Sequence, residues 1–146
     1  MTTLVQQATL FETDETAWLE ETADLVRSRH FKEIDAASLA EYLADMAKRD
    51  RREVFSRLVV LLAHLLKWEH QPESRSGSLL ATILEQQREL RMLPESGTLR
   101  NHAADIFADA YAEAVKQAAA ETGLERSTFP AESMHDFHGM LADIGE

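Results

Sequence analysis

The sequence predicts an all-α protein, a small helical bundle of about five helices around a long central helix. Three observations carry this. Glycine (5) and proline (3) are scarce in 146 residues, which favours long helices over a turn-rich β fold. Apolar residues recur at steps of three and four along most of the chain. Alternation of apolar and polar residues, the mark of a half-buried strand, is nowhere sustained. A chain of this length buries roughly 70% of the surface it exposes when unfolded, enough for a core without disulfides or metals. The expected organisation is a single domain over residues 1–146, with residues 1–12 as an N-terminal extension and residues 124–146 as a C-terminal loop and short helix.

The first helix is expected from about Asp14 to Arg29. Asp14 and Glu15 complement the positive end of the helix dipole, and Arg27 and Arg29 the negative end. Trp18, Thr22, Leu25 and Val26 fall on one face.

The second begins near Ser38. Ser38 and Glu41 match a capping box, with Asp35 as a competing cap. Leu39, Tyr42, Leu43 and Met46 form its apolar stripe. No glycine or proline interrupts residues 38–71, so one long helix to about His70 is preferred over two with a tight joint. Within KRDRREVFSR, Asp45 with Arg49 and Glu53 with Arg57 are acid-before-base pairs one turn apart.

QPESRSGS is a loop, because Pro72 cannot continue the helix and Gly77 and the serines favour turns. A third helix is expected over about 78–93, with Leu79, Ile83, Gln86, Leu90 and Leu93 in step. Pro94 and Gly97 break the chain. A fourth, alanine-rich helix over about 99–122 ends at Gly123, which suits the left-handed residue past a helix C-terminus. Ser133 is positioned to cap a short helix carrying Met134, Phe137 and Leu141.

The net charge of −11 repels polyanions, so nucleic acid is not an expected partner despite Arg49, Arg51 and Arg52. With 45% hydrophobic and 28% charged residues, the composition is that of a globular protein. There are no cysteines, which excludes disulfides and thiol chemistry. The start, MTTLVQQATLF, has no basic stretch and no sustained apolar core of the kind a signal peptide carries. The one candidate membrane span, Val54 to Leu66, is shorter than the ~18–20 residues a bilayer requires and contains Arg57 and His64. No membrane association is expected, and the expected location is the cytoplasm.

The order FETDETAWLEETADLVRSRHFKEID, HLLKWEHQPESRS, ATILEQQREL and AAAETGLERSTFP resembles a bacterial family called domain of unknown function 29, common in cyanobacteria and proteobacteria. The resemblance runs from about Leu10 to Phe137. Its most specific block holds Trp68, Gln71, Pro72, Arg75 and Ser76. It implies an all-helical single domain without an established activity. One departure is visible: where many members carry a tryptophan soon after the loop serines, this chain has Leu79.

Arg57, Leu61, His64 and Trp68 share one helical stripe, flanking the apolar face of Val54, Leu58, Leu62 and Leu65. Gln86 and Gln87 lie on the next helix, within expected reach of His64. Arg57, His64, Trp68, Arg75 and Gln87 therefore form a candidate polar pocket for a small anionic ligand. The plainer reading is that His64 and Gln87 satisfy each other at the core margin, because an unpaired buried polar group costs ~1–3 kcal/mol. His135 and His138 are three apart, with Asp136 or Glu132 nearby, but the HExxH pattern and cysteines are absent and a zinc site wants three or four convergent ligands, so no metal and no cofactor are expected. No catalytic triad, glycine-rich phosphate loop or dinucleotide fingerprint can be drawn. The oily run Val59 to Leu66 is apolar on nearly every side, which small domains rarely surround completely. Its coverage in a homodimer is the expectation. The leading functional expectation is a non-enzymatic, self-associating interaction module with an unidentified protein partner. The alternative is a small-ligand binder or enzyme using the polar pocket.

Overall fold

A computed structural model describes residues 2–94 and 97–144. Among the described residues there are five α-helices and no strand: α1 (Leu4–Thr13), α2 (Glu15–Arg27), α3 (Ala36–His70), α4 (Gly77–Arg91) and α5 (Thr98–Thr122). Single 3-10 turns lie at Phe31–Glu33, Pro72–Ser74, Arg126–Thr128 and Gly139–Leu141. The chain divides into two compact units, residues 1–48 and 49–146. The long helix α3 supplies its first third to one and the remainder to the other.

In the first unit, residues 4–13, expected as an extension, form a helix. Thr3 starts it with a capping box: its hydroxyl accepts from Gln6 N (3.1 Å), and its own N–H donates to Gln6 Oε1 (2.8 Å). Asp14 then caps α2 by accepting from Ala17 N at 3.1 Å. Trp18 and Thr22 are buried as the stripe predicts, and the Trp18 ring meets Phe11 (4.5 Å between centroids) and Tyr42 (5.6 Å). Val26 and Leu43, expected on apolar stripes, are exposed instead. Buried Gln7 ties α1 to the connector before α3. Its Nε2 donates to Glu33 O (2.6 Å), and its Oε1 accepts from Asp35 N (3.0 Å).

The cap of α3 is Asp35, not the Ser38–Glu41 box. Asp35 accepts from both Ser38 N (3.3 Å) and Ser38 Oγ (2.6 Å), so the serine hydroxyl is a donor to the cap and not the cap itself. The helix then runs unbroken to His70.

In the second unit, α3, α4, α5 and the 124–144 segment bury one apolar core. Leu58, Leu61 and Ala63 of α3 are fully enclosed, with Ile83 of α4 and Ala103, Ala110, Ala114 and Ala118 of α5. The alanine spacing presents no side chain beyond Cβ on the core face of α5, which lets a neighbour approach closely. Leu61, Leu62, Ala63, Leu65 and Leu66 of the oily run are buried by the chain's own elements, and Val59 and Val60 are half-buried. Pro72 ends α3. Ser76 caps α4 by accepting from Leu79 N (3.1 Å), so the helix begins at Gly77, one residue before the expected start. Arg100 donates to the last carbonyls of this hairpin, Leu93 O most closely (2.7 Å), satisfying groups that a helix end leaves open. Gly123 has φ 75°, the left-handed cap expected after Thr122.

The expected C-terminal α-helix does not form among the described residues. Ser133 Oγ accepts from His135 N (3.2 Å) and donates to His135 O (2.6 Å), a local turn that uses the hydroxyl before a helix can start. Asp136 instead accepts from Gly139 N (2.7 Å) and supports the single turn at Gly139–Leu141.

Candidate functional site

The five residues of the expected pocket separate into three places. Arg57 turns outward along α3 and α4. Its guanidinium pairs with Glu53 (2.7 Å), donates to Gln86 Oε1 (3.2 Å) and lies 3.9 Å from Glu89. The i,i+4 pair with Glu53 is the one expected from sequence. Gln87 faces the opposite way. It is fully buried, and its Nε2 donates to Met140 O (3.0 Å) and Ala142 O (2.9 Å). The expected bond between Gln87 and His64 is therefore replaced by a bond from Gln87 to the C-terminal segment. The sequence stripe gave Gln86 the core face. In the structure Gln87 takes it, one residue on.

His64, Trp68 and Arg75 stay at the helix corner. The guanidinium of Arg75 stacks over the Trp68 ring at 4.6 Å, and its Nε donates to Trp68 O at 2.9 Å. This stack satisfies an open carbonyl at the end of α3 and clamps the loop to the helix. His64 is half-buried and donates from Nδ1 to Val60 O at 2.7 Å. Burial pushes its pKa below the usual value, the Val60 bond opposes that shift, the charge of Lys67 adds to it, and Glu121 opposes it again. Lys67 is held by Glu121 at 2.5 Å, and this bond keeps the Glu121 carboxyl below the usual carboxylate range.

A cleft of about 280 Å³ opens here, lined by His64, Lys67, Gln71, Ser74, Ser76 and Leu79 among others. Leu79 stands in its wall, so a tryptophan at that point would change the cleft's shape. No group of three or more potential metal ligands converges among the described residues. His135 pairs with Glu69 at 2.8 Å and so links the C-terminal segment to α3.

A second concavity was not anticipated from sequence. It is a groove of about 700 Å³ between α5 and residues 131–139, with Phe107, Ala108, Tyr111 and Met134 on its apolar side. Tyr111 donates its hydroxyl to Pro130 O at 2.6 Å, which fixes the wall of the groove. Burial, followed by the charge of Glu69, raises the Tyr111 pKa above its usual value, so it stays a donor. The sequence gives no sign of this surface, because Met134 reads there as part of a short helix that does not form among the described residues. No helix is long and apolar enough to cross a membrane among the described residues.

These features define an all-helical protein whose concave surfaces lie where loops and the C-terminal segment meet α3, α4 and α5. The chain belongs to the family described as Domain of unknown function DUF29, whose model matches residues 10–144. No curated protein and no solved structure matches it.

Proposed function

We propose that the protein is a non-enzymatic helical interaction module that self-associates through residues 1–48. The observation that supports this reading is the exposure of large apolar side chains at one end of that unit. Val5 is 77% exposed and Phe31 60%, and Leu4 and Val26 are exposed beside them in sequence. Single exposed apolar residues are ordinary on protein surfaces. These four belong to segments that converge: Gln7 bonds the start of α1 to Glu33, and Val26 closes α2 just before the same connector. Exposed apolar side chains on segments that meet are costly to leave in water and favour a partner. Light scattering across micromolar concentrations tests it. The expected result is twice the monomer mass for the wild type and the monomer mass for Val5→Asp with Phe31→Asp, at unchanged helical content. A wild type that stays monomeric overturns the reading.

A second reading rests on the cleft beside His64. Three serines, Thr82 and Lys67 line it with His64, which suits a small anion. Titration calorimetry with inorganic phosphate tests it: saturable heat that is lost in His64→Ala and Lys67→Ala supports the cleft, and no heat at millimolar phosphate removes it. In this reading Arg57 and Gln87 play no part in contact with the ligand.

A further inference from the structure

The groove between α5 and residues 131–139 combines two properties that point to one kind of occupant. Its α5 side is apolar, built from Phe107, Ala108 and Tyr111, and Met134 extends that surface from the other wall while standing 73% exposed. Methionine is a flexible apolar side chain that repacks around varied partners. The remaining wall is acidic. Glu132 and Asp136 line the groove, and neither has an ion-pair partner among the described residues. His135 also lines the groove, where its Nε2 is bonded to Glu69 at 2.8 Å. In a chain of net charge −11 this side attracts cations and repels anions.

We propose that this groove docks a basic amphipathic segment of a partner protein, with apolar side chains against Phe107, Tyr111 and Met134 and lysines or arginines facing Glu132 and Asp136. The proposal rests on the reading of the protein as an interaction module, and it names a surface separate from the one assigned to self-association. Apolar contact supplies the affinity, and the charge pairing sets orientation and association rate.

The test uses the full chain and a fluorescein-labelled synthetic peptide with leucines and lysines at helical spacing, followed by anisotropy. Two control peptides replace the lysines with glutamate or the leucines with serine. The expected result is saturable binding that weakens with salt, with both controls inactive. Two protein variants then localise it. Met134→Asp removes the apolar wall. Glu132→Lys with Asp136→Asn removes the charge while leaving an acceptor for Gly139 N. Each is expected to weaken binding about tenfold. No binding of the lysine peptide, or equal binding by the groove variants, overturns the proposal. The same variants are run through light scattering. Unchanged self-association keeps the two surfaces distinct, and a monomeric wild type that still binds the peptide at the groove removes only the self-association reading. Loss of self-association in the groove variants makes a second copy the occupant and overturns the basic partner.

Discussion

Gln87 of α4 and Met140 of the C-terminal segment are joined in the core by a 3.0 Å hydrogen bond from the glutamine amide to the methionine carbonyl. The second amide hydrogen goes to Ala142 O at 2.9 Å, and Arg91 donates to Leu141 O between them. Three consecutive carbonyls, in and just after the 3-10 turn at Gly139–Leu141, are thus satisfied by one helix. This explains how a segment with only a single 3-10 turn can sit against a core, where bare carbonyls are costly.

Replacing Gln87 with alanine leaves the buried Met140 carbonyl unpaired, frees the more exposed Ala142 carbonyl, and opens a cavity beside Ile83 and Leu90. The expected loss of stability is about 2–4 kcal/mol. Urea denaturation measures it, and limited proteolysis is expected to cut first within the segment after Phe129.

His64 carries a pH signature. Because burial lowers its folded pKa below 6.5, the unfolded chain takes up the proton first as the pH falls. Its contribution is therefore fully present above about pH 6.5 and is lost as the pH drops through the lower folded value. Urea midpoints for wild type and His64→Gln are expected to converge on acidification from about pH 7.5 to about pH 5.5. Parallel profiles contradict this.

Gly123 adopts φ 75°, and a Cβ placed there would meet nothing within 4 Å. The strain of a substitution is then purely in the backbone. Gly123→Ala is expected to cost about 1 kcal/mol, and Gly123→Asn less, because asparagine tolerates the left-handed region. Thermal unfolding of the two variants checks the order.

Leu58 is fully buried and Leu84 is 44% exposed, on adjacent helices of the same unit. Leu58→Ala is expected to destabilise by about 2–5 kcal/mol, and Leu84→Ala by about 0.5 kcal/mol or less. Equal effects in chemical denaturation contradict the assignment of the core face of α3.

Local chemistry was readable from the sequence and long-range pairing was not. Pro72, Gly123 and the unbroken stretch to His70 fixed helix ends because each acts on its own few residues. Helix α1 was also signalled, by Thr3 and Gln6 at capping-box spacing, but its weak apolar periodicity hid it. Asp35 and Ser38 both match a helix cap in the sequence, which does not say which hydroxyl or carboxylate wins. The expected pocket came apart for a different reason. Helical phase placed Gln87 within one residue of the core face, but its partner lies at Met140, far along the chain. Likewise, nothing local to His135 announces Glu69. The enclosure of Val54 to Leu66 depends in part on Phe129, Met140 and Leu141, apolar residues in a segment whose path has no periodic signature.

Self-association through the first unit is tested most directly by hydrogen exchange on the full chain, compared between dilute and concentrated samples. The account predicts added protection with concentration in the peptides spanning Leu4 to Phe31, and little change in α4 and α5. Identical exchange at both concentrations, or protection gained only in the second unit, contradicts it.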